Sequence, residues 1–380
     1  MRCALLLIIA AASAAAQTGP LDALRATVLE LREQHPDAYR EIRGATPLLT
    51  TAKHQLRDWI ESGLARIPSD GDADSFAAGL NDAIEAAGLL CEDYTRCILT
   101  SIGSLDQVRV QRERDLLVIL TSTGIRCGFD DSAYVYRHNG AGWTRLWEAE
   151  QNTYTEAAYL PQMIHGVRIS ESDAAGERLV LTLGTKPGCS AAFQPAYVRL
   201  RRTRLNGAEG SKLLDYSELI SVDGEVPVQG SVSLEDALVG FTVGGTGYGY
   251  SHRALRHFVM RGGSVERTSP IAATPRDFVE EWLAAPWSES SAYSDNPRLA
   301  EWHARLHRED GMGDFPDPAV RCGDGSWMIA THLRDAPTHY FRVRQAGGNF
   351  RYAMAAIGDT RFADCTQPDP DADRQPDLFP

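Results

Sequence analysis

The sequence predicts a mainly β protein with an α-helical N-terminal segment and a small C-terminal α+β unit. Before about residue 90, apolar residues recur every three or four positions, as in amphipathic helices. Beyond about residue 95, continuous apolar runs are each followed by a hairpin, and the runs start about 60 residues apart. Two further helical patterns precede the last hairpin. A general α+β fold is the alternative interpretation.

Residues 1–16 have the pattern of a signal peptide. Arg2 is followed by an apolar run that includes Leu5–Ile9, and Ala14-Ala15-Ala16 fits the small-residue cleavage rule. A buried N-terminal helix is the alternative. No later segment approaches the length that a membrane helix needs. We therefore expect a secreted or periplasmic protein without a membrane span.

The net charge of −13 restricts the partners of the chain. An acidic surface repels phosphate backbones and anionic lipid surfaces, and no basic stripe overrides it. The sequence therefore predicts no nucleic-acid partner, and it favours an extracytoplasmic protein or carbohydrate ligand.

Six cysteines remain once Cys3 is removed with the signal peptide, and an even number in an exported chain predicts disulfide bonds. They are Cys91, Cys97, Cys127, Cys189, Cys322 and Cys365. Six cysteines allow 15 pairings, and sequence proximity favours Cys91–Cys97, Cys127–Cys189 and Cys322–Cys365. A zinc site is the alternative, but the sequence has neither a Cys-x-x-Cys pair nor a Cys/His cluster.

The segment 17–94 predicts three amphipathic helices. Their apolar stripes are Leu21, Leu24, Val28 and Leu31; Leu49, Ala52, Leu56, Trp59 and Ile60; and Phe76, Leu80 and Ile84. Thr46-Pro47 predicts the start of the second helix, with Thr46 as N-cap and Pro47 at N1. Gly88 predicts the end of the third helix.

The segment 95–273 predicts an antiparallel repeat of three-stranded units. Each copy starts with an apolar run, at residues 116–121, 179–183 and 237–242, and continues into a hairpin whose turn contains Gly or Asn. A fourth copy starts at Trp327. Repeated antiparallel units of this kind are typical of a propeller-like array, and unrelated hairpins in an α+β domain are the alternative.

The segment 274–365 predicts the small α+β unit. Thr274 is placed as an N-cap with Pro275 at N1, and a second helix is expected from about Pro297 to His307. Residues 366–380 are rich in Pro and Asp and lack periodicity, so we expect a disordered tail.

One loop stands out as a candidate ligand site. Between Gly244 and Gly249, four glycines accompany Tyr248, and Tyr250 and His252 follow directly. Aromatic faces with polar tips suit recognition of sugars or peptides. The sequence therefore predicts Tyr248, Tyr250 and His252 as ligand-binding residues. The alternative is an inter-strand loop whose tyrosines pack on the sheet.

Other motifs give no catalytic or metal site. Gly-x-Ser-x-Gly does not occur in the sequence, so a nucleophile elbow is excluded. His303 and His307 share a helix face, but Ala304 replaces the Glu of a His-Glu-x-x-His motif. The series Asp70-x-Asp72-x-Asp74 lacks the Gly and Glu of a calcium loop. We expect no catalytic residues, no metal and no cofactor.

Two functional classes fit these observations. The favoured class is an exported, disulfide-stabilised binding or interaction module without catalysis. The alternative is a secreted hydrolase that acts on carbohydrate or peptide. Neighbouring acids such as Asp130-Asp131 and Glu280-Glu281 point in different directions on a strand or helix, so they are poor candidates for a paired-carboxylate site.

Overall fold

The computed structural model of the protein shows a mainly β chain with four antiparallel sheets and a few helices. It describes residues 18–35, 42–91, 102–125, 128–152, 162–186, 193–221, 228–244, 251–268, 271–307, 317–332, 337–347 and 350–374. These residues form two compact units, the first from residues up to 191 together with 199–212 and the second from 192–198 together with 213 onward. The predicted signal peptide, residues 1–16, lies outside the described residues. Within the described ranges, no helix combines the length and apolarity of a membrane span.

Three helices begin the first unit: α1 (Thr18–Gln34), α2 (Ile42–Leu64) and α3 (Ala73–Ala86). Their predicted stripes are confirmed, because every stripe residue is buried except Phe76, which is half-buried. The stripes share one core with Tyr134 and Tyr136 of the first sheet. Helix packing on a sheet therefore stabilises these helices more than local propensity does.

The predicted start of α2 at Thr46 is wrong. The helix begins at Ile42 and contains Pro47 in its interior. Pro47 cannot donate a backbone hydrogen bond, but Ala45, on the N-terminal side of it, is fully buried with Leu31, Leu49 and Ile125. Burial of one more turn thus outweighs the hydrogen bond that the proline removes.

The ends of α3 follow local rules. Asp72 is the N-cap, and its carboxylate accepts from the backbone N–H groups of Asp74 and Ser75. The predicted stop is confirmed: Gly88 has a φ of 67°, and its N–H donates to the carbonyl of Glu85. Glycine adopts this left-handed conformation without steric penalty.

The first sheet has the order β1-β2-β3-β4, so β4 is an edge strand. Its strands are β1 (Arg109–Glu113), β2 (Leu116–Ile125), β3 (Gly128–His138) and β4 (Trp143–Ala149). The pairing of β3 with β4 shifts register between Val135 and Tyr136, where Leu146 is the extra residue on β4. A bulge of this kind bends an edge strand.

Two further sheets keep the same consecutive order. The second contains β5 (Met163–Ile169), β6 (Arg178–Thr185), β7 (Phe193–Thr203) and β8 (Ser211–Ser221). The third contains β9 (Gln229–Val232), β10 (Asp236–Gly244), β11 (Ser251–Arg261) and β12 (Ser264–Thr268).

The predicted three-stranded unit is wrong by one strand, because each of these three sheets has four. The extra strand precedes the apolar run each time, as β1, β5 and β9. β1 (RVQRE) and β9 (QGSV) are short, polar and at a sheet edge. Short edge strands need little apolar surface, so no continuous apolar run in the sequence indicates them. The predicted hairpin at Gly262-Gly263 is confirmed, with φ values of 55° and 87°.

The second unit contains α4 (Pro275–Ala284), α5 (Trp287–Ser290), a 3₁₀ turn (Ser291–Tyr293) and α6 (Leu299–Leu306). The predicted start of α4 is confirmed, because the Thr274 side chain accepts from the Asp277 N–H at 3.1 Å. Trp282, Trp287, Trp302 and Trp327 contribute to one apolar core. The tryptophans at this end of the chain are therefore core residues.

The fourth sheet has five strands in the order β16-β15-β14-β13-β17. They are β13 (Val320–Cys322), β14 (Trp327–His332), β15 (Thr338–Gln345), β16 (Tyr352–Gly358) and β17 (Cys365–Pro368). The tail predicted to be disordered from residue 366 is instead ordered as far as residue 374. β17 pairs with β13, and Pro370–Asp373 form a 3₁₀ turn. Asp373 accepts from the Ala319 N–H and contacts Arg276, so long-range polar contacts order this Pro- and Asp-rich segment.

The Cys322–Cys365 disulfide is confirmed. It joins residues that face each other in the pairing of β13 with β17. Cys91 is also disulfide-bonded. Cys97, Cys127 and Cys189 lie outside the described residues, so the other two predicted pairings stay predictions.

Candidate functional site

The predicted ligand residues fall largely outside the described part of the chain. Tyr248 and Tyr250 are outside it. The backbone of His252 lies in β11, where it pairs with Val243. These three positions therefore stay a prediction.

The histidine pair on α6 serves a structural role. The two imidazole rings stack with centroids 5.0 Å apart. His303 Nε2 lies 2.9 Å from the Ala285 carbonyl and 3.1 Å from the Trp282 carbonyl, and His307 Nδ1 lies 2.7 Å from the Leu283 carbonyl. The imidazoles thus satisfy carbonyls at the C-terminal end of α4, which lack intrahelical partners. Among the described residues, no cluster of three or more His, Cys, Asp or Glu could hold a metal ion.

Two cavities of about 420 Å³ each lie along β4 in the first unit. The polar cavity is lined by Trp147, Glu148, Ala149, Glu150, Gln151, Gln162, Thr182, Arg199, Arg201, Gly207, Ala208 and Glu209. The aromatic cavity is lined by Glu61, Leu64, Tyr136, Trp143, Thr144, Arg145, Leu146, Trp147, Glu148 and Gly207. Both volumes are in the range of small-molecule sites.

The edge position of β4 explains why the cavities form there. β4 pairs with β3 on one side only. On the other side, the loop between β7 and β8 approaches it, and the Gly207 N–H donates to the Leu146 carbonyl at 2.7 Å. Gly207 has a φ of 90°, which favours glycine. The loop thus covers the middle of β4 and leaves space on either side of the contact.

Two carboxylates of the polar cavity are two residues apart but differ in environment. The Glu148 side chain is 45% exposed, whereas that of Glu150 is 2% exposed. The Tyr134 hydroxyl donates to Glu150 Oε2, and His54 Nε2 lies 3.0 Å from Glu150 Oε1 as an ion-pair contact. Glu150 is therefore held in place, while Glu148 remains accessible.

The opposite wall carries cations and an amide. Arg199 and Arg201 alternate on β7, so they share one face of that strand. Arg199 donates to Gln162 Oε1 at 2.7 Å, and Arg201 pairs with Glu209 at 2.6 Å. The cavity therefore contains both charges: Glu209 neutralises Arg201, whereas Arg199 keeps its charge beside a neutral amide.

Two buried N–H donors belong to residues that line the polar cavity, and neither has a hydrogen bond to any described residue: Trp147 Nε1 and Gln151 Nε2. Most buried polar atoms in folded proteins are hydrogen-bonded, and an unmade bond costs about 1–3 kcal/mol. Because both nitrogens are inaccessible to solvent, a ligand in the cavity would not contact them without a shift of the surrounding side chains.

Buried charges position the base of the polar cavity. Lys53 Nζ on α2 pairs with Asp130 at 2.6 Å and also donates to the Gln151 carbonyl at 2.6 Å. The Asp131 N–H donates to the Gln162 carbonyl at 2.8 Å. Burial raises the pKa of the Asp131 carboxyl to about 7. Asp130 and Asp131 therefore support cavity residues, and neither lines the cavity itself.

The aromatic cavity combines rings with one ion pair. Tyr136 and Trp147 are almost fully buried, whereas Trp143 is half-buried. The Trp143 indole donates to the Ile67 carbonyl at 2.9 Å. Glu61 accepts from the Tyr136 hydroxyl at 3.2 Å and pairs with Arg145 at 2.7 Å. Its walls thus offer ring faces beside charged edges.

Sequence reasoning missed these cavities. It considered the adjacent acids Asp130-Asp131 but not Glu148-x-Glu150, although residues two apart on a strand lie on one face. That alternation was the available signal. Nothing in the sequence indicated that Gly207 would lie beside Leu146.

Comparison with known proteins gives no family. No protein-family model matches the sequence, and no curated protein matches it. Among solved structures, the GH32 β-fructofuranosidase of Bombyx mori is similar at 11% identity and a TM-score of 0.25, with 67% of this chain and 51% of the enzyme covered. CoXyl43, a GH43 β-xylosidase/α-arabinofuranosidase from a compost microbial metagenome, is similar at 10% identity and a TM-score of 0.25, with 71% and 94% covered. The chain thus spans about half the length of the Bombyx enzyme, and neither likeness carries an argument at this TM-score.

Proposed function

We propose that the protein binds a small neutral saccharide in the polar cavity. The observation that carries the proposal is the polar lining of this cavity, to which Glu148, Arg199 and Arg201 contribute. Sugar hydroxyl groups donate to a carboxylate and accept from guanidinium groups. Ligand sites commonly combine a concave pocket with a few convergent polar groups of this kind.

The charge balance of the cavity supports a neutral ligand. Its carboxylates accept from hydroxyl groups and its guanidinium groups donate to them. Because three glutamates and two arginines line the cavity, their charges nearly balance, and neither a strong anion nor a strong cation is favoured. A saccharide suits such a wall, because each of its hydroxyl groups both donates and accepts hydrogen bonds.

The binding proposal is tested by calorimetry with a panel of neutral mono- and disaccharides. We expect at least one saccharide to bind, and Glu148→Ala to weaken its binding about tenfold because one hydrogen bond is lost. Glu266→Ala, at an exposed glutamate of the second unit, is the matched control and should leave the affinity unchanged. If no member of the panel binds, the proposal is wrong.

Hydrolysis of the bound saccharide is a second candidate function. One observation favours it: Glu148 and Glu150 line the same cavity in different environments. Glycoside hydrolysis needs one carboxyl group as acid and a second as base or nucleophile. Turnover of chromogenic glycosides that is lost in both Glu148→Gln and Glu150→Gln would support hydrolysis. Binding without turnover supports a non-catalytic module.

We propose further that the protein acts outside the cytoplasm. The signal-peptide pattern of residues 1–16 and the Cys322–Cys365 disulfide support this location. N-terminal sequencing of the exported protein should begin at Gln17.

The four sheets are also proposed to be the units of a propeller-like array, with domain boundaries near residues 94, 273 and 365. The consecutive strand order that the first three sheets share supports the array.

A further inference from the structure

The two cavities along β4 are neighbours. Trp147, Glu148 and Gly207 line both of them. The boundary at Gly207 is open, since a Cβ atom added there would meet no atom within 4 Å. The two cavities therefore adjoin at these three residues, and a ligand that extends past Gly207 would contact both.

We propose that the ligand is an oligosaccharide whose successive units occupy both cavities, an inference that rests on the proposed function. The polar cavity is the hydrogen-bonding subsite, and the aromatic cavity is the stacking subsite for at least one further unit. β4, which lies along both, is about 20 Å long. That length exceeds the length of a single sugar ring.

The chemistry of the aromatic cavity suits this role. Sugar rings present apolar C–H faces to aromatic rings and hydroxyl groups to polar edges, and amphipathic aromatic residues serve both. The half-buried Trp143 supplies a ring, while the Glu61–Arg145 ion pair supplies charged edges at 2.7 Å separation. The two polar partners are already neutralised by each other, so the wall again favours a neutral ligand.

Three other polar clusters among the described residues are satisfied by contacts within the chain. The Thr268–His257–Asp236 contacts, at 2.7 and 3.0 Å, join side chains of adjacent strands on a partly exposed sheet surface. The buried acids of α4 have partners. The His303 and His307 imidazoles are bonded to carbonyls at the C-terminal end of α4.

The test is the dependence of affinity on chain length. For the saccharide that binds, calorimetry is performed with the monomer and with oligomers of two to four units. We expect affinity to rise about tenfold from the monomer to an oligomer that reaches the aromatic cavity, as stacking on one more aromatic site implies. An affinity that does not change with length overturns the inference.

A blocking variant locates the added affinity. Thr144 is an exposed β4 residue that lines only the aromatic cavity, so Thr144→Trp fills that cavity and leaves the polar cavity intact. We expect the variant to lower oligomer affinity about tenfold to the monomer value and to leave monomer affinity unchanged. Thr360→Trp, at an exposed position of the second unit, is the matched control.

A second variant covers the case in which Thr144→Trp perturbs folding. Glu61→Gln removes the ion pair with Arg145 from the aromatic cavity without touching a residue of the polar cavity, and it should also weaken oligomer binding selectively. Equal weakening of monomer and oligomer, or no weakening of either by both variants, overturns the inference. Failure of every saccharide to bind instead contradicts the proposed function, so the two failures are distinguishable.

Discussion

Buried polar groups have hydrogen-bond partners around Arg256 in the second unit, whereas two of them near the polar cavity of the first unit have none among the described residues. Arg256 is 5% exposed and makes four hydrogen bonds. Its guanidinium holds Glu218 through two parallel bonds of 2.9 and 2.6 Å and holds Glu281 at 2.9 Å. Near the polar cavity, Trp147 Nε1 and Gln151 Nε2 have no partner among the described residues.

The difference distinguishes a structural network from isolated buried donors. A buried charge surrounded by its own partners fixes one arrangement of the chain. A buried donor without a partner costs free energy and fixes nothing. The comparison therefore assigns fold stabilisation to Arg256, whereas removal of a donor near the cavity should cost the fold little.

The largest effect is expected where the satisfied network is broken. Arg256→Met leaves Glu218 and Glu281 without their cation, so the free energy of unfolding should fall by about 3–5 kcal/mol. Urea denaturation at neutral pH measures the loss. Arg261→Met is the control, because this arginine is exposed and its ion pair with Glu266 is worth little. A loss below about 1 kcal/mol for Arg256→Met would show that the network is not structural.

A smaller effect is expected at Asp131, where burial raises the pKa to about 7. Its folded-state pKa lies above its unfolded value of about 3.9. The contribution of the protonated group is therefore full below pH 4 and is lost as the pH rises through 7. Between about pH 5 and pH 7, this loss lowers the free energy of unfolding by about 2 kcal/mol.

His165 has the opposite dependence, because burial lowers its pKa to about 4. Its contribution is present above the unfolded pKa of about 6.5 and is lost as the pH falls toward 4. The two groups nearly cancel between pH 5 and pH 7 in the wild type. In Asp131→Asn, stability should therefore rise by about 2 kcal/mol more than in the wild type over this interval. Parallel pH profiles of the two proteins would contradict a protonated Asp131.

The smallest effect on stability is expected at the unpartnered donor. Gln151→Leu removes a side-chain amide whose nitrogen makes no hydrogen bond to a described residue, while the backbone carbonyl of this residue keeps its bond to Lys53. The free energy of unfolding should change by less than about 1 kcal/mol, and in the stabilising direction. Gln34→Leu, on the exposed surface of α1, is the matched control. Strong destabilisation by Gln151→Leu would mean that the amide has a structural role.

Much of the fold could be predicted from apolar periodicity. The runs at Leu116, Leu179 and Ala237 are central strands, and a central strand is buried on both faces, so it appears in the sequence as a continuous apolar segment. The short edge strand β9 carries no such signal. The predicted start of α2 was wrong because it relied on Pro47 at N1, and local helix rules take no account of the tertiary burial of Ala45.

The candidate site could not be predicted in the same way. Glu148 and Arg199 line one cavity although 50 residues separate them, and their proximity depends on how β4 and β7 are placed. The alternation Glu148-x-Glu150 was visible in the sequence. The unpartnered state of Trp147 Nε1 is a property of three-dimensional packing, which a single sequence does not contain.

The disulfide between β13 and β17 has a consequence for how the chain end is assembled. Because neighbouring side chains on a strand alternate between its two faces, a slip of β17 by one residue would carry Cys365 to the face opposite Cys322. Oxidation can therefore trap only the correctly aligned strand. The disulfide therefore forms only in molecules whose final strand is correctly aligned. Misaligned molecules keep reactive sulfhydryl groups, by which they can be identified.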